Sequence, residues 1–278
     1  MTKGTINNAK AKQLFDLSGR VTLVTGGERG LGKAMAEAVA EFGSEVIINY
    51  PFPEEKPRAE ETAHLISGLG VRTRIIQADV SRVEEVERMF RETQDVFGRI
   101  DILINNAGIT SQPAWVHEMQ VVDWDRVINV NLRGPFLCMK YALPFMMNQK
   151  HGCIINVSSV AALRAADSKF SSIANYSASK AGLLALTRQA ATDYAAYGIR
   201  VNAVALGHHG STELASEWRK RWSEKMLKEY AEKTSGRIPM GRRGREEEVK
   251  GLIVFLASEA SSYITGQVII QDGGLSLL

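Results

Sequence analysis

The sequence predicts an α/β fold in which a parallel sheet of seven strands carries helices on both faces. Short apolar, β-branched segments alternate with longer segments of helical periodicity along the chain, a pattern typical of parallel sheets with helical crossovers. A chain of 278 residues can form one large domain or two small ones. Because no linker-like segment interrupts it, we expect an N-terminal extension, residues 1–16, and a single domain, residues 17–278.

The first half of the chain provides four strands and three helices. Residues 21–25 are short and apolar, as in a strand buried on both faces. The segment after them has apolar residues at helical spacing, and residues 54–69 can form a helix after their prolines. The strands are expected at residues 21–25, 45–50, 74–79 and 100–105, and the helices at residues 31–42, 54–69 and 83–97.

The second half continues the same alternation. Its first helix is long and contains Pro135 and Pro144, either of which can bend it. The helix after the fifth strand is rich in alanine and leucine. The strands are expected at residues 153–157, 200–205 and 267–271, and the helices at residues 124–147, 176–197 and 246–257.

Composition excludes several classes of protein. A net charge of +3 gives no reason to expect a nucleic-acid or membrane partner. Cys138 and Cys153 lie in apolar contexts without metal-ligand or redox spacing, so we expect no metal site and no disulfide framework. Residues 1–14 lack the apolar core of a secretory signal, and no apolar run is long enough to span a bilayer. We therefore expect a cytoplasmic protein.

A glycine-rich turn, TGGERGLG at residues 25–32, joins the first strand to the first helix. In a doubly wound, Rossmann-like fold this turn holds the pyrophosphate of a dinucleotide. Glycine lets the backbone approach the phosphates, and the helix N-terminus attracts their charge. The spacing is G-x-x-x-G-x-G rather than G-x-G-x-x-G, so a tight turn that needs positive φ is the alternative interpretation.

Tyr176 and Lys180 lie four residues apart on one predicted helix face. A neighbouring cation favours the phenolate, so we expect Lys180 to lower the pKa of Tyr176 toward neutrality. The tyrosine would then suit acid/base chemistry at physiological pH. One such pair arises easily by chance, and its significance therefore depends on the residues around it.

Further polar groups are expected beyond the carboxyl ends of the strands, where open α/β sheets bind ligands. The segment 105–108 (NNAG) follows the fourth strand, and Ser158 and Ser159 follow the fifth. Asn131 lies within the long helix, where asparagine competes with backbone hydrogen bonds. Either solvent exposure or a role in the site would account for it.

Together these motifs resemble the short-chain dehydrogenase/reductase family. The matching positions are residues 25–32, 105–108, Asn131, Ser159, Tyr176, Lys180, and the C-terminal segments 263–267 and 272–274. The resemblance covers residues 17–274, nearly the whole chain. The ordered set is far more specific than any single motif.

The resemblance implies a catalytic role for four residues. Tyr176 is expected to be the general acid in ketone reduction and the base in alcohol oxidation. Lys180 is expected to assist it and to bind the nicotinamide ribose. Ser159 is expected to hydrogen-bond the substrate oxygen, where charge develops. Asn131 is expected to hold a water that links Lys180 to solvent.

A cofactor cleft is also implied, with Asn105 and Gly108 on its wall and Asp79 at the adenine. The expected cofactor-binding residues are Gly26, Arg29, Gly30, Leu31, Gly32, Tyr50, Asp79, Val80, Asn106, Ala107, Gly108, Tyr176, Lys180, Gly207, Ser211 and Thr212.

The expected function is NAD(P)-dependent interconversion of a secondary alcohol and a ketone. The family includes reductases of 3-oxoacyl carrier proteins and dehydrogenases of sugars, polyols and cyclic alcohols, and the sequence does not choose among these small-molecule substrates. A non-catalytic dinucleotide-binding or regulatory protein on the same fold is the alternative. The family also implies a homotetramer, which would cover the edge formed by the last strand and the helix at residues 246–257.

NADP(H) is the favoured cofactor and NAD(H) the alternative. An acidic residue at the end of the second strand normally binds the ribose 2′-hydroxyl of NAD, but that position falls on Tyr50, preceded by Asn49. Arg29, in the glycine turn, could grip a 2′-phosphate. Glu54 and Glu55 follow closely and are the counter-evidence.

Two features depart from the family pattern, and a third segment takes its expected role from that pattern. The interval from Ser159 to Tyr176 is about four residues longer than usual, and its extra segment, 165–173, is either a flexible loop or a substrate-shaping one. After the sixth strand Leu206-Gly207 replaces Pro-Gly, and His208 and His209 follow without ligand partners. The segment 207–235 is expected to be a lid over the substrate, with a packed surface helix or a basic membrane-binding helix as alternatives.

Overall fold

The structure, a computed structural model, describes residues 10–165, 172–210, 220 and 222–277. Over these residues the predicted fold class is confirmed: seven parallel strands form one sheet in the order β3-β2-β1-β4-β5-β6-β7. The strands are β1 Val21–Val24, β2 Glu45–Tyr50, β3 Thr73–Gln77, β4 Ile102–Asn105, β5 Gly152–Ser159, β6 Ile199–Leu206 and β7 Val268–Gln271.

Helices cover both faces of the sheet because its strands are apolar on both sides. One face packs against α1, α2 and α8 through residues such as Met35, Ile48 and Leu256, and the other against α3, α5 and α6 through residues such as Leu23 and Phe90. The helices are α1 Gly30–Glu41, α2 Lys56–Ser67, α3 Val83–Phe97, α4 Val121–Ile128, α5 Gly134–Gln149, α6 Ala174–Tyr194, α7 Glu224–Gly236 and α8 Lys250–Ala257.

The sheet changes direction between β1 and β4. From β1 the chain proceeds outward to β2 and β3, and it then returns to place β4 on the other side of β1. The loops that leave β1 and β4 therefore diverge to opposite faces and open a crevice at the carboxyl edge of the sheet. The fold thus defines the expected position of the ligand before any side chain is considered.

The prediction of one long helix at residues 124–147 is wrong in one respect. The segment forms two helices joined by a π-helical turn. That turn, Asn129–Arg133, separates α4 from α5, and Pro135 lies in the first turn of α5. Proline has no N–H to donate, and it lies where the hydrogen-bond pattern changes from the π-turn to α5. A π-turn inserts a residue into the helical ladder and is frequent at functional sites.

Other differences concern the ends of elements. Residues 53–55 and 246–249 begin their predicted helices as 3₁₀ turns, and residues 195–197 end another in the same way. Of the predicted lid, α7 is described, whereas Ser211 and Thr212 and most of the segment 165–173 lie outside the described residues. Within the described part of the chain, no helix is both long and apolar enough to cross a membrane.

Candidate active site

A cleft of about 1040 Å³ lies at the carboxyl edge of the sheet. Most of the expected cofactor-binding residues line it together with Ser159. These residues are Gly26, Arg29, Gly30, Leu31, Gly32, Asp79, Val80, Asn106, Ala107, Gly108, Tyr176, Lys180 and Gly207. Its volume is at the upper end of the range typical of small-molecule sites.

The glycine turn is locked to the end of β4 by hydrogen bonds. The hydroxyl of Thr25 accepts from the backbone N–H groups of Asn106 and Ala107, both at 3.0 Å. The Asn106 side chain donates to the carbonyls of Thr25 and Gly26, both at 2.9 Å. These bonds leave no room for a side chain at Gly32, whose added Cβ would lie 1.9 Å from Gly26 O.

The turn also has the backbone conformation that its sequence predicts. Gly26 and Gly30 adopt φ values of +61° and +53°, a region that side chains disfavour. The turn leads directly into the N-terminus of α1, where the first backbone N–H groups lack helical acceptors. The tight-turn and phosphate-binding interpretations are therefore compatible, because the same strained turn presents the N–H groups to the cleft.

Tyr50 does not line the cleft, so its predicted contact with the ribose is not supported. Its side chain is buried in the hydrophobic core beside α1 and α2, and Asn49, Pro51 and Phe52 line the wall instead. Asn49 is itself buried and joins two strand ends, since its Oδ1 accepts from Gly26 N at 3.4 Å and its Nδ2 donates to Ala78 O at 2.9 Å.

Tyr176, Lys180 and Ser159 all line this cleft. The first two turns of α6 position the tyrosine and the lysine, and the end of β5 positions the serine. The Ser159 hydroxyl lies near enough to the Tyr176 hydroxyl to lower its pKa. Lys180 Nζ donates to Val157 O at 2.8 Å and lies 5.7 Å from the centroid of the Tyr176 ring. Ser158 has a different role, since its hydroxyl donates to the backbone carbonyl of Lys180 at 3.0 Å.

Burial dominates the electrostatics of these groups. It raises the pKa of Tyr176 above its ordinary value, and the Ser159 hydroxyl offsets the rise only in part. It also lowers the pKa of Lys180 to about 8. The expected fall in the pKa of Tyr176 is therefore not found: the ammonium bonds a backbone carbonyl and lies beside the ring. At neutral pH the tyrosine holds its proton, which is the form a general acid requires.

Asn131 is buried in the π-turn, so the alternative of solvent exposure is wrong. Its Oδ1 accepts from Ile109 N, and its Nδ2 donates to Ile109 O, both at 2.8 Å. The same Nδ2 lies 3.2 Å from Ser179 Oγ on α6. A Cβ added at Gly108 would lie 3.4 Å from both Asn131 Oδ1 and Lys180 Nζ. Asn131 thus holds the loop after β4 against the helix that carries Tyr176 and Lys180.

Comparison with known proteins gives the fold and this cleft a family. The family model described as enoyl-(acyl carrier protein) reductase matches residues 26–276. A 3-oxoacyl-[acyl-carrier-protein] reductase of Synechocystis is 39% identical over 260 residues, which are 93% of this chain and 98% of that protein. The chain belongs to the short-chain dehydrogenase/reductase family. It is therefore an oxidoreductase that binds a nicotinamide dinucleotide.

Solved structures of this family agree with the described fold. A short-chain dehydrogenase/reductase from Mycobacterium marinum superposes with a TM-score of 0.87 at 34% identity, covering 96% of this chain and 99% of that chain. A gluconate 5-dehydrogenase from Burkholderia cenocepacia, solved in complex with NADP and tartrate, gives 0.86 at 33% identity, covering 97% of this chain and 100% of that chain.

Asn105 was expected on the cleft wall of this short-chain dehydrogenase/reductase, but it lies beneath it. Its Nδ2 donates to Asn156 Oδ1 at 2.8 Å, and Asn156 Nδ2 donates to Thr187 Oγ1 at 2.9 Å. This buried polar chain crosses from β4 through β5 to α6. Asn156 and Thr187 were missed, although each is a polar residue within an otherwise apolar element.

The two histidines after the sixth strand, which depart from the family pattern, contribute to the cleft wall. These are His208 and His209, and the buried His209 ring has its Nδ1 3.2 Å from Gly207 O. Among the described residues no cluster of His, Cys, Asp or Glu could hold a metal ion. Arg242 pairs with Glu248 at 2.8 Å, whereas Arg237 lines the cleft.

Proposed function

We propose that this oxidoreductase interconverts a secondary alcohol and a ketone by hydride transfer, with Tyr176 as the general acid/base. The observation that carries the proposal is the meeting of Tyr176, Ser159 and Lys180 in the cleft that the glycine turn also lines. A hydroxyl acid, a hydrogen-bond donor for an oxyanion and a cation are the groups that carbonyl reduction needs.

The residues present fit a nicotinamide dinucleotide. The cradle at Gly32, which a Cβ would fill, lets the turn and the N-terminus of α1 bind the pyrophosphate. Asp79 and Val80 would border the adenine, and Gly108 and Lys180 would border the nicotinamide ribose. Bound there, the nicotinamide supplies a hydride for ketone reduction and accepts one in alcohol oxidation.

In ketone reduction the Tyr176 hydroxyl donates its proton to the carbonyl oxygen as negative charge develops on it. Ser159 donates a second hydrogen bond to the same oxygen and so orients the substrate. Lys180, largely charged below pH 8, stabilises the phenolate that remains on Tyr176. Asn131 acts indirectly by holding α6 through Ser179. In alcohol oxidation the same groups act in reverse.

A lid over the substrate is part of this proposal. The described part of the segment 207–235 contributes Tyr230, Lys233 and Thr234 to the cleft, and Arg237 follows just beyond it. Ala165 and Ile173, at the two ends of the inserted segment, also line the cleft. These positions favour a substrate-shaping role for the lid segment and for the inserted segment over that of remote surface loops.

The test is a screen of small-molecule ketones and alcohols with both cofactors, followed by nicotinamide absorbance. The names of the relatives suggest two substrate classes to include, 3-oxoacyl thioesters and sugar acids such as gluconate. Turnover of at least one ketone supports the proposed enzymatic function. Tight dinucleotide binding without turnover of any carbonyl would instead favour the regulatory alternative.

NADP(H) is the proposed preferred cofactor, and Arg29 is its main determinant. Arg29 lines the cleft at the glycine turn, with Glu55 3.9 Å from its Nη1. Arg29→Ala should weaken NADP(H) use by about 1.5–3 kcal/mol, the worth of a charge-assisted hydrogen bond, and leave NAD(H) nearly unchanged. Measurement of kcat/KM with each cofactor decides the matter, and equal losses with both would refute the assignment.

We also propose a homotetramer that covers the β7 edge of the sheet. Tyr263, Ile270 and Leu277 are exposed there, and an open apolar edge favours association. Light scattering at micromolar concentration should give four times the chain mass, and Ile270→Glu should reduce it. Leu69→Glu, a comparably exposed position beyond α2, is the matched control. A wild-type monomer would contradict the proposal.

A further inference from the structure

The glycine turn carries a carboxylate that the proposed mechanism does not use. Glu28 lines the cleft, yet it is only 5% exposed. Its backbone carbonyl accepts a hydrogen bond from the Thr62 hydroxyl at 3.0 Å, which fixes this part of the turn against α2. The side chain is therefore held in the wall of the cleft and not swung out into solvent.

One oxygen of this carboxylate has no hydrogen-bond partner among the described residues. Glu28 Oε1 lies 3.4 Å from Arg29 Nε, whereas Oε2 is buried and has no hydrogen-bond partner within the described part of the chain. Burial raises the pKa of the Glu28 carboxyl. The positive charges of Arg29 and Arg58 lower this pKa, and the negative charge of Glu55 raises it further. A buried polar atom without a partner costs free energy, so a hydrogen-bond donor that reached it would be bound favourably.

The position of Glu28 indicates which part of the cofactor would supply that donor. It shares the cleft wall with Asn49 and Phe52 at the end of β2 and with Glu55. In a doubly wound fold, the end of the second strand meets the ribose of the adenosine half, next to the pyrophosphate on the glycine turn. In NAD(H) that ribose has a 2′-hydroxyl, which can donate. In NADP(H) a 2′-phosphate replaces it and brings negative charge toward the carboxylate.

We propose that Glu28 is a specificity-determining residue for the cofactor. Its carboxylate accepts a hydrogen bond from the adenosine ribose of NAD(H) and opposes the 2′-phosphate of NADP(H). Arg29 and Glu28 then act against each other at one corner of the cleft, and the enzyme retains use of both cofactors. The inference rests on the proposed function only in placing the adenosine at this corner.

The variant Glu28→Gln tests the inference because it keeps the shape of the side chain and removes its charge. Dissociation constants for NADH and NADPH are measured by fluorescence titration, which needs no substrate. The ratio Kd(NADH)/Kd(NADPH) should rise by about 10-fold or more, through weaker NADH and tighter NADPH binding. Glu28→Ser, which is neutral and smaller, should shift this ratio in the same direction. If one of the two variants folds poorly, the ratio can still be measured with the other.

Glu61→Gln is the matched control. Glu61 also lines the cleft and pairs with Lys33 at 3.1 Å, but it is well exposed to solvent. Screening should keep its effect on the ratio within about threefold. A folded Glu28→Gln with a ratio as little changed as this control overturns the inference, and so does an equal loss of both cofactors, which would indicate a structural role. Failure of every ketone to react would count against the proposed function alone, because the binding ratio would still be measured.

Discussion

Replacement of Tyr176 with phenylalanine should reduce kcat for ketone reduction by about 10² to 10⁴ while both cofactors still bind. The substitution keeps the buried aromatic ring on α6 and removes only the hydroxyl. Without it, the carbonyl oxygen receives no proton from the protein. Because the lost interaction belongs to the transition state, the loss should appear in kcat more than in KM.

Tyr194→Phe is the control for this experiment. Tyr194 ends the same helix, and its ring lies 6.5 Å from that of Tyr197, away from the cleft. Its hydroxyl can therefore be removed without touching the proposed chemistry. Steady-state rates and dinucleotide titration should separate the two variants. A Tyr176→Phe enzyme with more than about half the wild-type rate would exclude the residue as the acid.

The site could be predicted from the sequence as far as its residues lie at strand ends. Ser159 ends β5, and the segment 105–108 leaves the neighbouring β4, so the parallel sheet brings them to one edge. Tyr176 and Lys180 are separated by about one helical turn, so they share a face wherever their helix packs. For these residues, periodicity and order along the chain were sufficient.

The residues that were misplaced depend on packing that periodicity does not contain. A strand buried on both faces gives no alternation, so counting to the end of β2 could not tell that Tyr50 enters the core and Asn49 reaches the turn. Asn131 was recognised as unusual within a helix, but its burial depends on the π-turn, which has no clear sequence signature. The pKa of Tyr176 differs from the expected one because burial of the ring raises it, and the Ser159 hydroxyl lowers it only in part.

Glu28 illustrates the same limit for charge. The sequence shows an acid beside Arg29 in a glycine turn, and an exposed ion pair would be the usual expectation. Its burial results from α2 packing over the turn, where Thr62 bonds the Glu28 carbonyl. A change of environment from solvent to cleft wall converts an ordinary loop residue into a candidate determinant of specificity.

A methyl group at position 32 should disrupt the cofactor site and the fold together. The added Cβ of Gly32→Ala would lie 1.9 Å from Gly26 O and 2.6 Å from Asn106 Nδ2. These atoms belong to the hydrogen bonds that lock the turn to β4. Both would have to move, which should cost about 3 kcal/mol or more.

That cost should lower Tm by roughly 6 °C or more and weaken dinucleotide binding at least about tenfold, since the displaced N–H groups are those proposed to hold the pyrophosphate. Gly251→Ala is the matched control, because Gly251 is also helical and its added Cβ would meet nothing within 4 Å. Alanine should raise helix stability there by up to about 1 kcal/mol. The prediction is wrong if Gly32→Ala has the same Tm and the same dinucleotide affinity as Gly251→Ala. In that case the close approach of α1 to the turn does not shape the cradle, and the pyrophosphate binds elsewhere in the cleft.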